Sequence, residues 1–176
     1  MLAEELIVDN IPPLSKNDTG ETALRWMDEF KIMHLSVVEN KNFLGTISES
    51  DVLGMTDLSE KIGSYMELLN PAFVTQRQHV FEVVMVVNDQ KLSIIPVLDA
   101  HEKYAGSITI AQVMEIIADM PVANNPGGVI VLELNYNDYS LEAIARIIEE
   151  NNTKILGTFI TSHPDSTKIQ LTFKTN

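Results

Sequence analysis

Ser48 and Asp51 stand three residues apart in GTISESDVL, residues 45–53, and Thr109 and Gln112 repeat that spacing in TIAQ. A hydroxyl residue followed three positions later by an acid or its amide is a capping-box pattern. The hydroxyl oxygen accepts from an otherwise unpaired N–H of the first helical turn, and the second side chain reaches back to the cap residue. That role alone accounts for both pairs, so the question is whether Asp51 also faces a ligand. Other reactive groupings are sparse. The four histidines, His34, His79, His101 and His163, show no H-x-x-x-H or comparable ligand spacing, and no calcium loop is present, so no metal site is expected. Neither G-x-S-x-G, Walker A nor G-x-G-x-x-G occurs, and GG at 127–128 reads as linker. The expectation is a protein that is not an enzyme.

Composition narrows the class further. The chain has 176 residues, 45% hydrophobic and 21% charged, enough to bury a sizeable core. Twelve basic against 25 acidic residues leave a net charge of −13 without a basic cluster, a surface that repels phosphate backbones and argues against nucleic-acid binding. Cysteine is absent, which removes disulfides and thiolate chemistry. MLAEELIVDN lacks a basic region followed by an apolar core, and no apolar run approaches the roughly 18–20 residues of a membrane span, so a soluble cytoplasmic protein is expected.

The elements that must position these residues occur twice. HLSVVENKNFLGTISESDVL aligns with IIPVLDAHEKYAGSITIAQVM, with one extra residue in the second turn. Each copy has an apolar strand, a polar turn, an aromatic residue (Phe43 or Tyr104), a glycine (Gly45 or Gly106), a second strand, a hydroxyl residue and an apolar-periodic helix. Upstream, PLSKNDTGETALRWMDEF lies over FVTQRQHVFEVVMVVNDQ at a constant offset, with Ser15 over Thr75. VVMVV, 83–87, is rich in strand-favouring residues, but its place in the repeat argues for helix. Asp57–Glu67 is expected to be a short helical connector. The expected organisation is copy one at 1–60, copy two at 61–120, a Pro/Gly/Asn linker at 121–127 and a β-α-β-β piece at 128–176. In that last piece VIVLELNY and KILGTFIT read as strands and SHPDS as a hairpin turn. Leu141, Ile144, Ala145 and Ile148 share a helical face capped by Ser140 or Asp138, and Ile169, Leu171 and Phe173 alternate along a strand. So small a piece is marginal by itself, which points to docking or to pairing with a second chain.

These features carry a resemblance. Residues 1–120 resemble a tandem pair of CBS domains, on HLSVV and IIPVL followed by a glycine, a strand and a Ser/Thr turn into a helix. Residues 128–176 look like a shortened ACT domain, and the order is similar to that of acetoin-utilisation-type CBS–ACT proteins. The C-terminal piece departs from the ACT pattern by ending after a third strand and by carrying NDYSL where a glycine is usual. The fold class implied is α+β, two pseudo-symmetric CBS motifs packed as a pair plus a β-α-β-β piece.

The resemblance implies a regulatory protein binding an adenosyl nucleotide (AMP, ATP, NAD or S-adenosylmethionine) between the motifs, with no required cofactor. A homodimer and a possible partner protein are also implied. Ser48 and Thr109 would contact phosphate, as a helix N-terminus can. Asp51 would accept from the ribose diol, a role for which its charge suits it and Gln112 does not. Ser15 and Thr75 either approach an adenine edge or satisfy local backbone. Leu35, in HLSVV, is a further candidate contact. Arg77 and His79 lie where the cleft should open, as phosphate partners or as solvated side chains. Ser36 stands where copy two has Pro96, a departure expected to alter the first cleft's wall. The rival reading is a dimerisation or protein-interaction scaffold whose clefts bind nothing strongly.

Overall fold

The computed structural model describes residues 1–8, 10–162 and 166–176. The chain divides into two compact units, Met1–Met114 and Glu115–Asn176. No helix among the described residues is long and apolar enough to cross a membrane.

Both copies of the repeat fold alike. Copy one runs through α1 (Gly20–Phe30), β1 (His34–Glu39), β2 (Asn42–Ser48) and α2 (Glu49–Leu53). Copy two runs through β3 (Val74–Thr75), α3 (Val80–Gln90), β4 (Ile94–Leu98), β5 (Tyr104–Thr109) and α4 (Ile110–Asp119). Each has an antiparallel hairpin, β1–β2 or β4–β5, and a lead-in segment parallel to its first strand: Leu14 bridges Val37, and Val74 pairs with Val97. The connector is a 3-10 segment, Ile62–Leu68, kinked at Tyr65.

Local chemistry explains the elements. Thr19 caps α1 by accepting from the Thr22 N–H, and Ala23 and Met27 bury its inner face. VVMVV is helical, as the repeat predicted. His79 accepts from the Phe81 N–H while Glu82 returns to the His79 N–H, and Val80 and Val83 are buried one turn apart, so capping and burial outweigh strand propensity. Asn40 and Lys41, with φ of 51° and 65°, give the first hairpin its two-residue turn of the type favoured by strand twist. The extra residue of copy two is absorbed by a longer turn, in which Asp99 accepts from the amides of His101 and Lys103.

The two repeated glycines have a tertiary cause. The segment before copy one crosses copy two, where the Val8 N–H donates to the Ser107 carbonyl (2.9 Å). The segment between the copies crosses copy one, where Thr46 and Asn70 exchange backbone hydrogen bonds (2.8 and 2.9 Å). Gly106 and Gly45 lie beneath these crossings with φ of 148° and 147°, and a Cβ there would run into Ile7 or Leu69. Close approach and backbone conformation both demand glycine.

Strands and helices enclose a shared core including Leu14, Met27, Leu35, Ile47, Ile62 and Ile94. Ser36 does not line a cleft wall, contrary to expectation. It is buried, its hydroxyl 3.1 Å from that of Ser107, which lies 2.9 Å from the Tyr104 hydroxyl. Burial raises the Tyr104 pKa.

In the second unit, β6 (Val129–Asn135), β7 (Ile155–Ser162) and β8 (Lys168–Thr175) form an antiparallel sheet in the order β6-β8-β7, with α6 (Leu141–Glu150) between β6 and β7 in sequence. Ser140 caps α6 by accepting from the Ala143 N–H. Leu171 and Phe173 of the central strand form a small core with Ile144 and Ile148. The stretch read as linker holds one helical turn, α5 (Pro121–Asn124), whose Val122 lies against Gly157. The expected SHPDS turn centres on 163–165, outside the described residues.

Candidate functional site

Ser48 and Asp51 are joined to each other. The Ser48 oxygen accepts from the Asp51 N–H (3.1 Å), and Asp51 Oδ2 accepts from the Ser48 N–H (3.2 Å) and lies 2.5 Å from its hydroxyl. The Ser50 hydroxyl is 2.8 Å from that of Ser48. This is a complete capping box at the start of a five-residue helix. Neither residue lines the clefts described next.

One cleft, of about 400 Å³, lies at the start of α4, where Thr109 and Gln112 meet Ser93, Asn10 and Lys31. Its volume falls within the roughly 300–1,000 Å³ usual for small-molecule sites. Thr109 caps α4 by accepting from the Gln112 N–H (3.0 Å), and the Ile110 N–H donates to the Ser93 carbonyl (3.2 Å). Lys31, in the left-handed region at the end of α1, brings a cation from the other copy. It pairs with Asp28 at 2.8 Å on the surface and holds that carboxyl below its ordinary pKa. The counterpart positions in copy one are bridged. Val8 and Phe30 line the α4 cleft, whereas Asn70, which crosses β2 as Val8 crosses β5, donates to Gln90, the repeat counterpart of Phe30, at 3.1 Å.

A second cleft, of about 750 Å³, brings Thr75 and Arg77 together with Glu4, Asp99 and Glu102. Among the described residues Arg77 is the one cation lining it, beside the three carboxylates Glu4, Asp99 and Glu102. The Asp99 carboxyl lies below its ordinary pKa because the amides of Lys103 and His101 donate to it. His79 is not at this cleft but caps α3.

The remaining candidates lie apart. Ser15 shapes its own turn, its oxygen accepting from the Asn17 N–H (3.2 Å) while its amide donates to Asp18 (2.7 Å). Leu35 is fully buried in the core. Half-buried His34 accepts at Nδ1 from the Ser93 amide (3.1 Å) and lies 3.0 Å from its hydroxyl. Burial lowers its pKa, against a smaller opposing effect of Asp51. No grouping of three potential metal ligands occurs among the described residues.

Of the residues singled out from the sequence, Thr109 lines the smaller cleft and Thr75 and Arg77 the larger; Gln112, set aside there as unsuited to a ribose, also lines the smaller, whereas Lys31, Ser93 and Asn10 at the smaller and Glu4 and Glu102 at the larger were not singled out. The one available signal for Lys31 was its repeat counterpart, Lys91, which has the same left-handed backbone.

No family model matches the chain. Among solved structures it is similar to a CBS domain pair/ACT domain protein from Thermotoga maritima, at 16% identity and a TM-score of 0.60, over 68% of this chain and 98% of that one. It is also similar to CBSX2 in complex with AMP (18%, TM-score 0.56, 66% and 95%). The cytosolic domain of the Mg²⁺ channel MgtE in complex with ATP matches at 21% identity and a TM-score of 0.54, this chain covering 48% of it and the match 65% of this chain. The duplicated unit therefore has the fold of a tandem CBS pair. In this chain the pair is followed by a β-α-β-β unit, an α+β protein as the sequence implied.

Proposed function

We propose that this protein is a non-enzymatic, cytoplasmic regulator that binds an adenosyl nucleotide in the cleft where Lys31 of copy one meets Ser93, Thr109 and Gln112 of copy two. The observation that carries the reading is this cleft. It is open and of ligand size, and it combines a helix start, two hydroxyls and a cation from the opposite copy. The Ile110 and Gln112 N–H groups already donate to Ser93 and Thr109, so a phosphate there would meet the Ala111 N–H and the positive end of a ten-residue helix, with Lys31 turning to it from its surface pair with Asp28. Similar folds solved with AMP and ATP support the ligand class. Because the cleft joins the two copies, the ligand favours whichever mutual orientation suits it best, and it can shift that equilibrium only by its preference between the states.

The alternative is a scaffold, and the capping box of Ser48 and Asp51 favours it for copy one, whose candidate residues serve the fold. Calorimetric titration of the full chain with AMP, ATP, NAD and S-adenosylmethionine tests the proposal. Saturable binding of one of them, weakened by Lys31→Ala and Thr109→Val and retained in Asp51→Asn, is expected. Flat heats for all four on folded, ligand-free protein would overturn it in favour of the scaffold, and loss of binding in Asp51→Asn alone would move the site to copy one.

A further inference from the structure

Ser93, just before β4, is a point where copy two meets copy one, and each of its polar groups is engaged. Its amide N–H donates to His34 Nδ1 (3.1 Å). Its hydroxyl accepts from the Met33 N–H (3.0 Å) and lies 3.0 Å from the same imidazole nitrogen. Its carbonyl accepts from the Ile110 N–H at the start of α4 (3.2 Å). Because an N–H donates to Nδ1, that nitrogen carries no proton, and the neutral ring holds its hydrogen on Nε2. The fold itself does not require this arrangement. In the repeat His34 corresponds to Ile94, fully buried in the core, and Ser93 to Met33, so the counterpart pair has neither imidazole nor hydroxyl. A titratable ring thus replaces an aliphatic side chain where the copies meet, and it holds a residue that lines the α4 cleft.

We propose that His34 and Ser93 form a proton-operated latch between the two copies, closed while the imidazole is neutral and opened when Nδ1 takes up a proton. A protonated Nδ1 is a donor facing the Ser93 N–H, another donor, and the Ser93 carbonyl is already taken by Ile110. The amide loses its acceptor, and the tie between the starts of β1 and β4 is broken. The charges around the ring do not hold it closed. Asp51, from α2, favours the imidazolium, and Ser48, opposite His34 on β2, is neutral. Glu49 of α2 is exposed and meets this region through its backbone, its N–H donating to the Met33 carbonyl (2.8 Å). Lys31 and Lys91, at the ends of α1 and α3, are turned to Asp28 and Asn88, and the first turn of α4, residues 110–113, is uncharged. Burial of the ring outweighs Asp51, so the open latch takes up its proton before the closed one. Opening therefore rises about tenfold per pH unit between the ordinary imidazole value and the lowered one. The consequence for ligands rests on the nucleotide reading above: a ligand that needs Ser93 and the start of α4 in place binds more weakly on acidification.

Nuclear magnetic resonance of the full, ligand-free chain tests the latch without any nucleotide. The neutral His34 ring is expected as the Nε2–H tautomer, with a titration midpoint below the ordinary value. Hydrogen exchange at the Ser93 amide, corrected for its intrinsic pH dependence, should lose protection about tenfold per pH unit across that window. Val97, further along β4, should keep its protection. His34→Gln, whose amide oxygen accepts from Ser93 but takes up no proton, should make the Ser93 protection independent of pH. An Nδ1–H tautomer in the neutral wild-type ring would overturn the proposal, and so would Ser93 protection that ignores the His34 titration. The two readings fail separately. Ser93 protection that follows His34 in a chain binding none of the four adenosyl compounds upholds the latch and ends the nucleotide reading. Nucleotide binding beside pH-independent protection does the reverse.

Discussion

Thr46 is 1% exposed, and its hydroxyl has no hydrogen-bond partner among the described residues. Its repeat counterpart, Ser107, has two, the hydroxyls of Ser36 and Tyr104. The counterparts of those partners on the Thr46 side are Pro96 and Phe43, neither of which offers a polar group. Two differences between the copies therefore satisfy one buried hydroxyl and orphan the other. An unsatisfied buried polar group costs about 1–3 kcal/mol. Thr46→Val, which keeps the branched shape and the backbone pairing with Asn70, should stabilise the protein by about 1–2 kcal/mol. At roughly 2–4 °C per kcal/mol for a chain of this size, the melting temperature should rise by about 2–8 °C. Ser107→Ala should instead destabilise by about 1–3 kcal/mol, since it leaves the Ser36 and Tyr104 hydroxyls without their partner. Phe43→Tyr would restore the missing phenol, and its gain should vanish in the Thr46→Val background, the non-additivity expected of groups in contact. Urea midpoints at unchanged m-value are the assay. A Thr46→Val protein destabilised as much as Ser107→Ala would refute the reasoning, because the two hydroxyls would then be energetically alike.

Three further outcomes follow from the geometry. Gly45→Ala and Gly106→Ala should each cost more than about 2 kcal/mol, since a side chain there meets both a positive φ and a crossing segment; denaturant unfolding measures it. His34 has a lowered pKa in the folded protein, so the unfolded chain binds its proton first as pH falls. Its contribution is therefore fully present above the ordinary imidazole value and is lost on acidification below it. In His34→Ile, which copies the counterpart Ile94, the wild-type minus variant difference in urea midpoint should become more positive as pH rises through that range. Ser48→Ala should cost about 1 kcal/mol through loss of the cap while leaving nucleotide titration of the α4 cleft unchanged.

Much of the architecture was legible because it is written in local chemistry and written twice. Helix periods, cap residues and turn residues are short-range signals, and a second copy in register resolved the ambiguous VVMVV. The β-α-β-β order of the C-terminal unit and the inward stripe of Ile169, Leu171 and Phe173 were legible for the same reason, although Thr172 and Thr175 are buried as well. The capping box of Ser48 and Asp51 was equally plain, since all its partners lie within three residues.

What the sequence by itself determined was thus the repeat, its elements and the capping chemistry at the two helix starts. Tertiary structure alone decided which segments cross which copy. It set the lead-in of copy one over β5 and the connector over β2, and so turned two glycines into packing requirements. It carried Lys31 some eighty residues along the chain to Thr109, opened that cleft, and bridged the counterpart positions with Asn70 and Gln90. It also moved Ser36 from an expected cleft wall to a buried pair with Ser107. The physical reason is that pattern reports which face of an element is apolar. Which apolar faces meet, and which polar side chains are left at their margins, depends on packing between residues distant in sequence.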